Sequence, residues 1–206
     1  RDYMVEDVLW HSVENLLKFY DSNILHSHHV QYLSLKLFDQ TQSLHQWGLW
    51  ERQLISVAAM LHDIGTYVDY YNHHQHGFYL VMNSRIYGLT NKELLFCAFI
   101  VGMHRTYSLK ESRSKYKMLI SKDDYRKIKK MSLFVRMAEH LDRSEYGKVQ
   151  ALDCVVDKEA VHINLASNDN LELEINSALE FRQDFKKLLN RNLVISQEYQ
   201  VPTTKV

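Results

Sequence analysis

LISVAAMLHDIG, Leu54–Gly65, decides how this chain is read. An apolar helical run ends in the adjacent pair His62 and Asp63, and Gly65 follows where the backbone is expected to turn. An imidazole and a carboxylate side by side at a helix end, pinned by the packed run behind them, make a corner suited to a divalent metal, since both are common ligands. Around that corner His29, the His-rich cluster His73, His74 and His76, His104 and Asp142 fall on separate segments.

Those segments are helical by period. Apolar residues recur at helical spacing through Met4–Tyr20, His28–Leu44, Glu51–His62, Asn91–His104 and Asp123–Asp142, and Phe78–Tyr87 is a shorter apolar stretch. Gly88 and Thr90 supply a stop and an N-cap before Asn91. The single proline, Pro202, breaks none of them. After Gly147 the period changes: Val149–Val156, Ala160–Ala166 and Leu171–Ile175 are short, β-branched or alternating, and read as strands. Leu179–Leu189 reads as one helix and Leu193–Ser196 as a last strand. The expected fold is mainly α: a helical bundle over residues 1–146 followed by a small β-rich α+β appendage over 147–206.

At 206 residues the chain suits one domain, or one with a small appendage. A formal net charge of +0 gives no reason to expect nucleic acid as a partner. Charge is nevertheless segregated. Arg105, Lys110, Arg113, Lys115, Lys117 and Lys122 face only Glu111, which suggests a local anion site, and the stretch from Glu139 to Glu180 is acidic in turn. Cys97 and Cys154 have no disulfide-framework spacing and read as free thiols in a reducing compartment. No run has the length of a membrane span and no signal-peptide pattern opens the chain, so a cytoplasmic location is expected. The sequence opens on Arg1 rather than a methionine, which reads as a fragment or a trimmed chain.

A histidine, a His-Asp pair and a distant aspartate, each on its own helix, resemble the HD-domain metal-dependent phosphohydrolases. LSLKLFD (Leu33–Asp39), AAMLHDIG (Ala58–Gly65), YYNHHQHGFYLVMNS (Tyr70–Ser84), MHR (Met103–Arg105) and VRMAEHLDRS (Val135–Ser144) narrow this. Together they resemble the C-terminal region of the exopolyphosphatase/guanosine pentaphosphate phosphatase (Ppx/GppA) family. Arg1-Asp2-Tyr3 stands where that family has an Arg-Glu-Gly turn leaving its actin-like domains.

The resemblance implies a divalent metal (Mg, Mn or another transition metal) on His29, His62, Asp63 and Asp142, with a second drawn from His73, His74, His76 and His104. His104 is a ligand or a catalytic proton donor. Arg105 and Arg143 stand where guanidinium groups would meet phosphate oxygens, and Lys110, Arg113, Lys115 and Lys117 would extend that attraction along a polyanion. Metal-assisted hydrolysis of a phosphate ester or anhydride follows. The phosphate loops of the family's actin-like domains are not in this sequence, so their polyphosphate hydrolysis is not carried over to these residues.

The expected partners are polyphosphate or a phosphorylated small molecule, the actin-like domains of a parent protein, and a second copy of the chain. Two other readings stay open: an autonomous HD phosphohydrolase acting on a nucleotide or similar small molecule, and a non-catalytic regulatory or dimerisation module. His11, His26, His28, His45, His140 and His162 read as structural or surface residues. The Tyr-rich stretch Tyr67–Tyr71 reads as packing around the site, with no case for base stacking.

Overall fold

The structure, a computed structural model, describes residues 3–20, 23–105 and 109–199. Arg1, Asp2 and Pro202 lie outside the described residues. The bundle is built from α1 (Tyr3–Tyr20), α2 (Ile24–Gln40), the single turn α3 (Gln42–His45), α4 (Leu49–Met60), a 3-10 turn (Ile64–Tyr67), α5 (His73–Asn83), α6 (Asn91–Gly102), α7 (Lys110–Lys115) and α8 (Lys122–Leu141). The appendage follows as β1 (Ala151–Val156), β2 (Ala160–Ser167), α9 (Glu172–Leu179), α10 (Arg182–Leu189) and β3 (Asn192–Tyr199).

α2 lies at the centre, packed on both α4 and α8, while α6 packs on α4, α5 and α8. Its buried stripe is His26, Val30, Leu33 and Leu37, spaced i, i+4, i+7 and i+11, so one face enters the core. Each buried leucine or valine contributes about 1.5–3 kcal/mol by leaving water. α6 is apolar nearly all round and buried from Leu95 to Gly102, so it is an inner helix. Capping fixes its start: Thr90 Oγ1 accepts from Glu93 N at 3.3 Å, and Glu93 Oε2 accepts from Thr90 N at 2.7 Å. Ser121 and Asp124 make the same box for α8.

The appendage is a three-stranded sheet in the order β1-β2-β3. β1 and β2 form an antiparallel hairpin whose turn is held by Asp157 Oδ1, which accepts from the backbone of Glu159 and Ala160. β2 and β3 run parallel, so the chain between them must cross over, and α9 and α10 make that crossing. Leu171–Ile175 is therefore no strand. The alternation of LELEI hides a helical stripe of Leu171, Glu174 and Ala178, all buried, while Leu173 is exposed. Asn170 Oδ1 takes the Glu172 amide at 2.8 Å and starts the helix. The expected helix over Leu179–Leu189 is α10, which begins three residues later at Arg182, after Leu179 ends α9.

One glycine matters for the site. Gly65 does not turn the chain through a left-handed conformation; it lets two segments touch. A Cβ there would stand 1.9 Å from the His73 carbonyl oxygen and 2.4 Å from the Gly77 nitrogen. The 3-10 turn after Asp63 thereby sits directly on α5. Asn72, with φ 58, makes the left-handed step into α5 that presents His73 as its first residue.

Candidate metal centre

His62 and Asp63 occupy the turn between α4 and the 3-10 turn, with α4 packed behind them. His62 is fully buried; its Nδ1 donates to the Ala59 carbonyl at 2.8 Å, and its Nε2 has no hydrogen-bond partner. His73 donates from Nδ1 to the Tyr70 carbonyl at 2.9 Å, and His104, just past α6, donates from Nδ1 to the Val101 carbonyl. A carbonyl only accepts, so each bond fixes a proton on Nδ1 and leaves Nε2 as the free position. The three Nε2 atoms gather on one carboxylate. His62 Nε2 is 3.6 Å from Asp63 Oδ2, and His73 and His104 Nε2 are 3.3 and 3.6 Å from Asp63 Oδ1.

His73 and His104 approach each other Nε2 to Nε2 at 2.9 Å. Two neutral lone pairs at that distance repel, so a shared cation is required: a proton on one ring, or a metal ion. The electrostatics agree. Burial works to raise the Asp63 carboxyl, but His62, the His73 hydrogen bond and His104 overcome it and hold it far below the usual carboxylate range. Burial opposes a charge on His73 as well, yet its bond to Asp63 raises it above the ordinary value. Burial pushes fully buried His104 well below the ordinary histidine value. Nitrogen and carboxylate donors with backbone-locked tautomers are the chemistry of a divalent transition-metal site, and the residues fit such an ion.

A second group shares the same carboxylate. His26, His62 and Asp63 offer ligand atoms within 4.8 Å of one another, as do Asp63, His73 and His104. The His26 and His62 rings meet edge to face at 5.2 Å. Asp142 backs His26: its Oδ2 accepts from His26 Nδ1 at 2.8 Å and its Oδ1 from the Gly147 amide at 2.8 Å. A carboxylate holding the far side of an imidazole orients the ring and strengthens it as a ligand. Burial opposes protonation of His26, but the Asp142 bond and the Asp63 charge raise its pKa.

Of the residues expected from sequence, the structure brings together His62, Asp63, His73 and His104. Asp142 stands one bond removed, on His26. His29 lies outside both groups, half-buried beside Gly147 with its Nε2 unpartnered. His74 and His76 also lie outside, half-buried on other sides of α5. His26, read from sequence as structural or surface, belongs to the first group. The α2 stripe carried the signal, because His26 precedes Val30 by four residues and Leu33 by seven.

Glu139 is a further buried group at the centre that sequence reasoning passed over. It lies one helical turn before Asp142, 3 % exposed, with Oε1 on Arg105 Nη2 at 3.0 Å and Oε2 unpartnered. Burial raises its pKa, with His62 and Arg105 working against that. Arg105 is thus tied inward while still partly open to solvent. Arg143, Lys110, Lys115 and Lys117 are exposed, and Arg113 is half-buried with its guanidinium 4.5 Å from the Tyr125 ring centre. Lys110 and Lys115 line a cavity of about 720 Å³ with Gln75, Phe78, Met82 and Tyr116. Gln75 and Met82 sit about half a turn around α5 from His73, so that cavity does not face the His-Asp cluster.

A helical bundle with a His-Asp doublet behind a core helix, and further histidines converging on it, defines an HD-type domain, here joined to a small α+β unit. A profile of Ppx/GppA phosphatase, domain III, matches residues 8–194, and the chain belongs to that family. The match spans bundle and appendage together. Among the described residues no helix is long and apolar enough to cross a membrane.

Proposed function

We propose that this chain is the HD region of a Ppx/GppA-type phosphatase, and that its own His-Asp site binds divalent metal and hydrolyses phosphate esters or anhydrides of polyphosphate or guanosine-phosphate type. One observation carries this reading: the Nε2 atoms of His62, His73 and His104 converge on Asp63 with every Nδ1 engaged by a backbone carbonyl. Family membership supports the phosphatase class.

In this reading His26, His62 and Asp63 hold one metal position, and Asp63, His73 and His104 hold a second, with Asp63 shared. Bound there, a divalent ion supplies Lewis acidity to a phosphoryl oxygen and lowers the pKa of water. Asp142 holds the His26 ring in place. Arg105, fixed by Glu139, keeps guanidinium donors at the partly open edge for phosphate oxygens. His104, fully buried with its Nδ1 proton committed to Val101, serves as a ligand rather than a proton donor.

The test is phosphate release by the purified chain from inorganic tripolyphosphate and from guanosine triphosphate, with manganese or magnesium supplied. Release that disappears in Asp63→Ala, while far-UV circular dichroism is retained, is the expected result. No release by metal-loaded chain would reduce the site to a substrate-holding or assembly role.

A further inference from the structure

The His-Asp centre leaves most of the basic segment after α6 unused. Arg105 is tied inward to Glu139, but Lys110 and Lys115 stand on the cavity of about 720 Å³ between α5 and α7. Small-molecule sites usually enclose about 300–1,000 Å³, so this one has the size to take a ligand.

The fold builds that space. Phe78 and Leu109, 9 and 8 % exposed, form its inner end. Gly102 on α6 makes room for both, since a Cβ there would stand 2.4 Å from Leu109 Cδ1 and 3.2 Å from Phe78 Cβ. α7 is fastened to α8: the Leu109 amide donates to the Tyr125 hydroxyl at 3.3 Å, and the Arg113 guanidinium lies 4.5 Å from the Tyr125 ring centre. Held there, α7 leaves an apolar wall open towards α5. The Phe78 and Tyr116 rings stand 6.1 Å apart between centres, and half-buried Met82 adds an adaptable thioether to the same wall.

The rim is cationic. Lys110 and Lys115 are exposed, and neither forms an ion pair among the described residues. Glu111 is the one carboxylate among the described lining residues, so two ammonium groups face one negative charge. An inorganic phosphate chain would meet the lysines and gain nothing from the wall. A neutral apolar molecule would leave the lysines unused.

We propose that this cavity binds a small organic anion with an apolar body, acyl or aryl, seated on Phe78, Met82 and Tyr116 with its charge at Lys110 and Lys115. The site is separate from the His-Asp centre and does not rest on the reading of that centre. Both use α5, but His73 lies about half a turn around the helix from Gln75 and Met82.

The experiment is a fluorescence titration of the full chain with anilinonaphthalene sulfonate, an aryl anion that brightens in apolar surroundings. Competition with decanoate and with inorganic phosphate follows. The variants are Lys110→Gln/Lys115→Gln, Met82→Glu, Asp63→Ala and a control pair, Lys117→Gln/Lys122→Gln, whose lysines are exposed outside the cavity. Far-UV circular dichroism checks each fold. The cavity lysine pair is expected to weaken the probe about fivefold, the scale of two solvent-exposed charge contacts. Met82→Glu should abolish binding by setting a carboxylate in the wall. The control pair and Asp63→Ala should bind like the wild type, and decanoate but not phosphate should displace the probe.

Decanoate that fails to displace would confine the body to an aryl group, with the site intact. Probe binding unchanged in both the cavity lysine pair and Met82→Glu would overturn the site. Equal weakening by the control pair, or displacement by phosphate as effective as by decanoate, would reduce it to a diffuse charge patch and overturn it too. Loss of the probe in Asp63→Ala would place the probe at the His-Asp centre, again against the proposal. The metal reading fails or holds on other measurements, because none of these titrations contains metal.

Discussion

Asp63 concentrates the electrostatics of this molecule: one carboxylate faces three imidazole Nε2 atoms within 3.6 Å. Which α2 histidine joins it decides the ligand set. His26→Ala is expected to weaken manganese binding by at least about tenfold, the lower end for disturbing a metal site's support. His29→Ala should leave it unchanged, and isothermal titration of the two variants checks this. The His62-Asp63 doublet is weak evidence on its own and gained its weight from the histidines and Asp142 carried on other helices. The family resemblance put His29 in the ligand set, on a helix whose apolar face includes Val30, Leu33 and Leu37, but His29 sits about 100° around that helix from Val30. Membership of the stripe, which His26 has, is what aims a ring into the core. His73 could not be told from His74 and His76 by residue type; its place under Gly65 selects it. Gly65→Ala should cost about 2–3 kcal/mol as an overpacked contact and disturb metal binding through the His73 backbone. Gly48→Ala, with nothing within 4 Å, meets no clash and should cost only the loss of a glycine N-cap on α4, about 0.5–1 kcal/mol, in the same denaturation experiment.

Between elements, the ends of helices hold what the core does not. Glu51 ties the start of α4 to α8 through Lys127 and also accepts from the Gly48 amide at 3.0 Å. Burial works to raise its pKa, but Lys127 and the backbone bonds win and lower it below the ordinary 4.5. A carboxyl depressed in the folded state stabilises above its unfolded pKa and loses that contribution as pH falls through the folded value. Glu51→Gln should thus cost about 1 kcal/mol at neutral pH. Urea titrations should show the gap to wild type closing as pH drops below 4.5 and unchanged above it. The bundle helices were legible because their stripes are long. α9 was not, because it is only eight residues long and opens on the alternation Leu171-Glu172-Leu173-Glu174, which fits both periods; the parallel pairing of β2 with β3 is what requires a crossover there.

Across the whole molecule, bundle and appendage share one core. Val149, Leu152, Ile163, Leu165 and Phe185 belong to the same buried cluster as Leu33, Leu37 and Leu141. Gln40 on α2 bonds the Leu152 carbonyl at 2.9 Å and takes the Cys154 amide, and the Arg136 guanidinium lies 4.6 Å from the Phe181 ring centre. The division at residue 146 is therefore a change of secondary structure over continuous packing. Calorimetry should show a single cooperative transition for the full chain, with no separate melting of the appendage. The α8 end that carries Glu139 and Asp142 lies between the two parts, so the appendage supports the site as well as the core.

The central claim is that the chain itself builds a metal centre on Asp63. Its most direct test is the metal content of untagged chain, purified without chelator and incubated with manganese, by inductively coupled plasma mass spectrometry. One to two equivalents in the wild type, lost in Asp63→Ala at unchanged secondary structure, is the result predicted here. Equal metal in both, or none in either, would contradict it.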